Sequence, residues 1–156
     1  MPTSRSDPAE SAEIYKIPFL VGVTGHRDLI PEEVPAIRET LTRLFGTLRA
    51  AAKDVEIKLL SSMAEGADLL AADVAHELGI AIIALLPFSA ARCREELTSD
   101  GARSTFDRTM RNAEQLEVPT PSSVGEASTE VDRDRQFQRA GVLVARYSSL
   151  LIAIWN

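Results

Sequence analysis

The sequence predicts an α/β protein: a doubly wound, mainly parallel and Rossmann-like sheet of about five strands, with helices on both faces. Three observations predict it. Several short runs are apolar almost without interruption, as strands buried on both faces must be. Segments with helical spacing separate them, giving a β-α-β-α-β order. The first strand, and the loop after the second, close on small or polar residues, the loop chemistry found at the carboxyl ends of such strands.

The elements follow in order. Residues 1–16 are polar, rich in Ser, Pro and Glu, and read as a mobile tail, leaving 17–156 as one domain. "FLVGVTG" is a buried strand closed by glycine. Pro31, Glu32 and Glu33 read as a helix start, and Val34, Ile37, Leu41, Leu44, Phe45 and Leu48 continue it at helical spacing. "VEIKLLSS" is the second strand, from about Val55 to Ser61. "AEGADLLAADVAHELG" is the second helix, stopped by Gly79. "IAIIALLPF", Ile80 to Phe88, is the third strand. The next 26 residues from Ser89 are charged and helical, with a break near Asp100-Gly101. A short fourth strand is expected around Leu116 to Val118, and "PTPSSVGEAS" is a loop. A helix from about Glu130 to Tyr147 leads into a last apolar strand, "SLLIAIWN". That strand has no loop or helix behind it, so either the domain is truncated at its C-terminus or the strand lies at an edge.

Composition narrows the function classes. The chain has 156 residues, 45% of them hydrophobic, which suits one packed core. A net charge of −6 makes nucleic acid a poor partner. Cys93 is the sole cysteine, so no intrachain disulfide or cysteine zinc cluster can form, and His26 and His76 alone make no metal site. No metal and no cofactor is expected. The longest apolar run, nine residues counted from Ile80 to Phe88, is about half a membrane span, and the N-terminus lacks the apolar segment of a secretory signal. The expectation is a soluble, cytoplasmic protein without a membrane partner.

Three stretches together carry a resemblance: "GVTGHRDL" at the end of the first strand, "SSMAEGADLLAADVA" joining the second strand to its helix, and "IALLPF" at the end of the third. Over about residues 18–156 the chain resembles the SLOG superfamily, the Rossmann-like group that includes LOG phosphoribohydrolases, DprA/Smf proteins and nucleotide-sensor domains. The resemblance implies a pocket at the carboxyl edge of the sheet for a nucleotide or nucleotide-derived small molecule. The glycine-rich phosphate loop of the LOG enzymes, of the type PGGxGT, is absent, and their arginine–glutamate signature is not recognisable. Those departures favour binding over hydrolysis.

The residues offer the following candidates. Thr24 and Gly25 let a ligand approach the backbone, Arg27 can fork onto a phosphate, and His26 can donate to a phosphate or ribose oxygen. The alternative is a tight turn whose His and Arg face water. Ser62 and Glu65 are spaced as a capping box. Gly66 is unexplained by capping; a glycine in the first turn permits close packing or close ligand approach, and Ser61 and Ser62 with the helix amides there could hold a phosphate while Glu65 or Asp68 accepts ribose hydroxyls. Glu65 and Asp68 are also the two carboxylates a glycosidase would need. Pro87 and Phe88 end the third strand, with Phe88 either packing on a base or closing the core. Ser89 reads as a helix cap, and Arg92 and Arg94 as ligand contacts or solvated charges. The arginines of the second half (Arg103, Arg108, Arg111, Arg133, Arg135 and Arg139) read as surface ion-pair partners, Cys93 as a buried inert thiol, and Trp155 as core. The alternatives to a ligand sensor are a LOG-like N-glycosidase acting on a nucleoside monophosphate, and an assembly domain with a vestigial pocket that forms a homo-oligomer through the last strand.

Overall fold

The computed structural model describes residues 17–119 and 130–155. The expected tail, most of the expected loop at 119–128, and Asn156 fall outside them. Ten elements follow one another: β1 (Phe19–Gly25), α1 (Val34–Ala51), β2 (Ile57–Ser61), α2 (Ala67–Glu77), β3 (Ala81–Leu86), α3 (Ala90–Glu95), α4 (Asp100–Met110), β4 (Glu114–Glu117), α5 (Glu130–Tyr147) and β5 (Leu150–Ile154). All strand pairs are parallel, in the order β4-β3-β2-β1-β5. This is the expected α/β, Rossmann-like architecture.

The order dictates the layers. From β1 to β4 the chain steps one way across the sheet, and right-handed crossovers therefore place α1, α2 and α4 on one face. The step from β4 to β5 reverses direction and carries α5 to the other face. Side-chain alternation matches this: Leu59, Ile82, Ala84 and Leu86 join the large core under α1, α2 and α4, while Leu60 and Leu85 join a smaller one with Ala140 and Val144 of α5. The reversal makes β1 and β5 the switch point, the crevice where doubly wound sheets bind ligands.

The three helices of the larger layer are tied by one carboxylate. Asp73 of α2, 6% exposed, is hydrogen-bonded by Arg38 of α1 and Arg108 of α4, and Arg38 also reaches Glu77 at 2.8 Å. On the other face Gln136 Nε2 donates to the Val118 carbonyl at 2.9 Å, fastening α5 to the chain leaving β4.

Several boundaries differ from expectation. Helix α1 begins at Val34, with Pro31–Glu33 forming a turn and Pro35 as the proline of the first helical turn. Strand β2 begins at Ile57, two residues late. The break in the charged segment covers 96–99, not Asp100-Gly101, because Ser99 Oγ accepts from the Ala102 amide and starts α4. Strand β4 is Glu114–Glu117, with all four side chains exposed and Leu116 at 45%. Helix α5 spans the expected residues, and β5 lies at the sheet edge. Trp155, expected in the core, is 69% exposed, because it stands just past the end of an edge strand where none of the described elements covers it.

Candidate functional site at the carboxyl edge

In a parallel sheet the helices that follow strands start at the carboxyl edge, so three expected loops and the first turns of α2, α3, α4 and α5 gather there. The first loop is pinned on both sides. The His26 amide donates to the Ile154 carbonyl at 3.1 Å, and the His26 carbonyl accepts from the Ala67 amide at 3.0 Å. Gly25 and Gly66 explain how it fits. A Cβ on Gly25 would collide with the Ile154 carbonyl and the Ala67 side chain, and one on Gly66 would strike the carbonyls of His26 and Arg27. Gly66 also sits at φ +87°, a conformation that favours glycine. Both glycines admit the chain's own backbone rather than a ligand.

The second loop turns inward. Ser62 Oγ donates to Asp68 Oδ2 at 2.6 Å and Ser61 Oγ to the same oxygen at 3.4 Å, while the Met63 amide donates to Ser61 Oγ at 3.0 Å. Met63 is buried at φ +59°, a strained conformation for a residue with a long side chain. The carboxylate that organises this loop is itself buried. Burial pushes Asp68 up to about 6, against the hydrogen bonds from Ser62, Ser61 and the Ala64 amide.

The capping box is corrected. Helix α2 starts at Ala67 with Gly66 as its cap and no side-chain cap bond. Glu65 reaches instead to the start of α4, accepting from the Thr98 amide at 2.7 Å, from Thr98 Oγ1 at 2.9 Å and from Ser99 Oγ at 3.2 Å. Burial pushes its carboxyl up, but these donors outweigh it and hold the group below the usual carboxylate range. Glu65 braces the turn that precedes α4, whose own cap is Ser99.

The third loop closes the core. Pro87 is fully buried and Phe88 is 8% exposed. The Arg92 guanidinium lies over the Phe88 ring at 4.0 Å, and Phe137 meets that ring edge-on at 5.7 Å, so its faces have no room for a base. Ser89 caps α3 as expected, accepting from the Arg92 amide, and Arg94 pairs with Asp107 at 2.7 Å. The Cys93 thiol is buried and pushed up to about 11, chiefly by desolvation, which makes it a poor nucleophile.

Between these loops and α5 lies a groove of about 310 Å³ lined by Arg27, Asp28, Glu65, Glu96, Thr98 and Arg133. Arg27 projects from the β1–α1 loop with its Nη2 at 3.4 Å from the Glu96 carbonyl, and its guanidinium lies 5.6 Å from the centre of the Phe137 ring. Arg133, in the first turn of α5, approaches Glu96 at 3.4 Å. Its Nε is buried without a hydrogen-bond partner, 3.7 Å from Asp134.

Of the expected site residues, the groove takes Arg27 and Glu65. Thr24, Gly25, Ser61, Ser62, Gly66, Asp68, Pro87 and Phe88 lie in the three expected loops and outside the groove lining, while His26 packs against Trp155 with ring centres 5.2 Å apart. Sequence reasoning missed Asp28, Glu96, Thr98 and Arg133. Two signals would have found most of them: Thr98-Ser99-Asp100 read as a helix start, and the rule that a helix after a parallel strand begins at the carboxyl edge, which places Arg133 there.

Together, fold and groove define a Rossmann-like α/β domain with a polar cleft at the carboxyl edge of its sheet, lined by two arginines and three carboxylates. No family model matches the chain, and no curated protein matches it. Among the described residues no helix is long and apolar enough to cross a membrane.

Proposed function

We propose that this domain binds a nucleotide-derived small molecule at the carboxyl edge, holding its anionic portion between Arg27 and Arg133. The observation that carries the reading is the meeting of Arg133 and Arg27, from two different elements, in one cleft; the Arg133 Nε has no hydrogen-bond partner among the described residues, its carboxylate neighbour being Asp134 at 3.7 Å. Arg27 and the outer nitrogens of Arg133 are forked donors suited to an oxygen-rich anion, which would take over from Glu96 as their acceptor. The resemblance to SLOG domains supports the same ligand class.

The geometry favours binding over turnover. Glu65 is consumed by Thr98 and Ser99, and Asp68 is buried behind Ser62, so neither carboxylate is offered to a ribose. Calorimetric titration with AMP, ADP-ribose and ribose 5-phosphate tests the proposal. Arg27→Ala and Arg133→Ala should each weaken binding about tenfold or more, the usual range for a hydrogen bond to a charged group. Absence of heat at millimolar ligand, or affinity unchanged in both variants, overturns it. Release of free base from AMP would instead establish a LOG-like hydrolase.

One observation favours a second reading, self-assembly. Strand β5, "LLIAI", is an edge strand with no charge or proline to guard it, unlike β4, "EQLE", at the opposite edge. Light scattering decides it: a clean monomer at high micromolar concentration removes the reading.

A further inference from the structure

A nucleotide needs a surface for its base as well as an anchor for its phosphate. The aromatic expected to supply it, Phe88, is sealed between Arg92 and Phe137. The switch point offers another. Trp155 follows β5 and is 69% exposed; its indole is tilted 47° against the His26 imidazole, with centres 5.2 Å apart. The hydrogen bond from the His26 amide to the Ile154 carbonyl fixes the backbones on which both rings are mounted. The two rings are thus mounted on backbones held together, within ring-contact distance of each other.

Trp155 stands at one wall of a cleft of about 500 Å³ between α1 and β5, walled by Ile37, Leu44 and Ile152 with Glu33 and Thr40 as polar groups. That volume lies in the range of small-molecule sites, and mostly apolar walls with a few polar groups are what such sites present. Glu33 occupies the cap position of α1, yet its carboxylate makes no cap bond. A carboxylate not engaged in capping is an acceptor for the amino group of a planar heterocycle. His26 and Arg27 are consecutive, so one turn puts an imidazole against Trp155, which lines this cleft, and a guanidinium in the anion groove.

We propose that Trp155, with His26 beside it and Glu33 across the cleft, is the base-stacking platform of this domain, taking an amino-bearing nucleobase. The inference rests on the nucleotide-binding reading but adds a separate subsite with a separate readout. Trp155 is the only tryptophan, so its fluorescence reports on this subsite alone.

The test titrates the intact chain with AMP, GMP, adenosine and ribose 5-phosphate, following tryptophan emission and calorimetric heat together. AMP or GMP should quench Trp155 saturably. Trp155→Leu should weaken their binding about tenfold, within the range of one base–aromatic stack, while leaving ribose 5-phosphate affinity unchanged. Because Trp155 is largely exposed, the variant is expected to keep the wild-type thermal midpoint, which is checked alongside. Quenching by adenosine with no heat from ribose 5-phosphate would keep the platform and sink the anion groove. Calorimetric binding of AMP with unmoved fluorescence, and equal affinity in Trp155→Leu, would overturn the platform and leave the groove. No response to any of the four overturns both.

Discussion

Helix α2 carries two nearly buried aspartates five residues apart, and their surroundings drive them in opposite directions. Asp73 faces α1 and α4 and receives two guanidinium groups. Burial pushes its carboxyl up, but the hydrogen bonds from Arg38 and Arg108 outweigh that and hold it below its ordinary 3.8. Asp68 lies under the carboxyl edge and has hydroxyls and amides as donors, with no cation among the groups that shift it; burial wins, and it rises to about 6. Neutral donors satisfy a carboxylate's geometry without cancelling its desolvation, whereas a cation does both. The comparison separates two roles. Asp73 is a clamp between three helices. Asp68 holds a strained loop, with Met63 at φ +59°, at the edge where ligands bind in this fold.

The largest expected effect breaks the clamp. Asp73→Ala leaves Arg38 and Arg108 facing each other without their shared partner. Losing one partner of a buried ion pair costs about 3–5 kcal/mol, and because both arginines keep contact with water, with side chains 35% and 44% exposed, about 3 kcal/mol is expected here. Urea unfolding measures it; a loss under 1 kcal/mol would mean the clamp is ornamental.

Next in size is the opposite pH dependence of the two groups. The folded chain holds the Asp68 proton more tightly than the unfolded chain, so its contribution is full below pH 3.8 and is lost as pH rises through about 6. The loss amounts to roughly 2–3 kcal/mol at neutral pH. Asp73 behaves in reverse: its contribution is present above 3.8 and disappears on acidification through its lower folded value. Urea midpoints at half-unit pH steps should show a fall between pH 4 and 6 that vanishes in Asp68→Asn and persists in Asp73→Asn. A wild-type profile that rises across that window would contradict the environment assigned to Asp68.

The same contrast shows what sequence could reveal. Strands of the "IAIIALLPF" kind and the spacing of Leu41, Phe45 and Leu48 announced the sheet and its first helix, since burial on two faces or on one stripe leaves a periodic signature. Glycine was legible as a requirement but only in part in its purpose: Gly25 was expected to admit a ligand and Gly66 either a ligand or close packing, and they admit the backbones of His26, Arg27 and Ile154. Which residues share the edge groove depends on contacts across long stretches of sequence. Glu65 and Thr98 are 33 positions apart, and local spacing offered Glu65 a nearer but wrong partner in Ser62. Trp155 was misread because an apolar strand is core only when something covers it, and strand order, not composition, decides which strand is the edge.

The smallest effect sharpens the comparison most. Ser62→Ala removes the shortest hydrogen bond to Asp68, 2.6 Å from Oδ2, while Ser61 and the Ala64 amide remain. Ser62 is only half-buried, so water can replace part of the donor, and a cost of about 1 kcal/mol is expected at pH 7. The cost should depend on pH in a definite sense. At pH 4 Asp68 is protonated in the folded chain, and losing a donor to a neutral carboxyl matters little. As pH rises the ionised form needs that donor, so the variant's deficit should grow between pH 4 and 7, and its folded titration should move above about 6. A deficit equal at pH 4 and pH 7 would show that Ser62 acts through packing alone, and the neutral-donor account of Asp68 would fall with it.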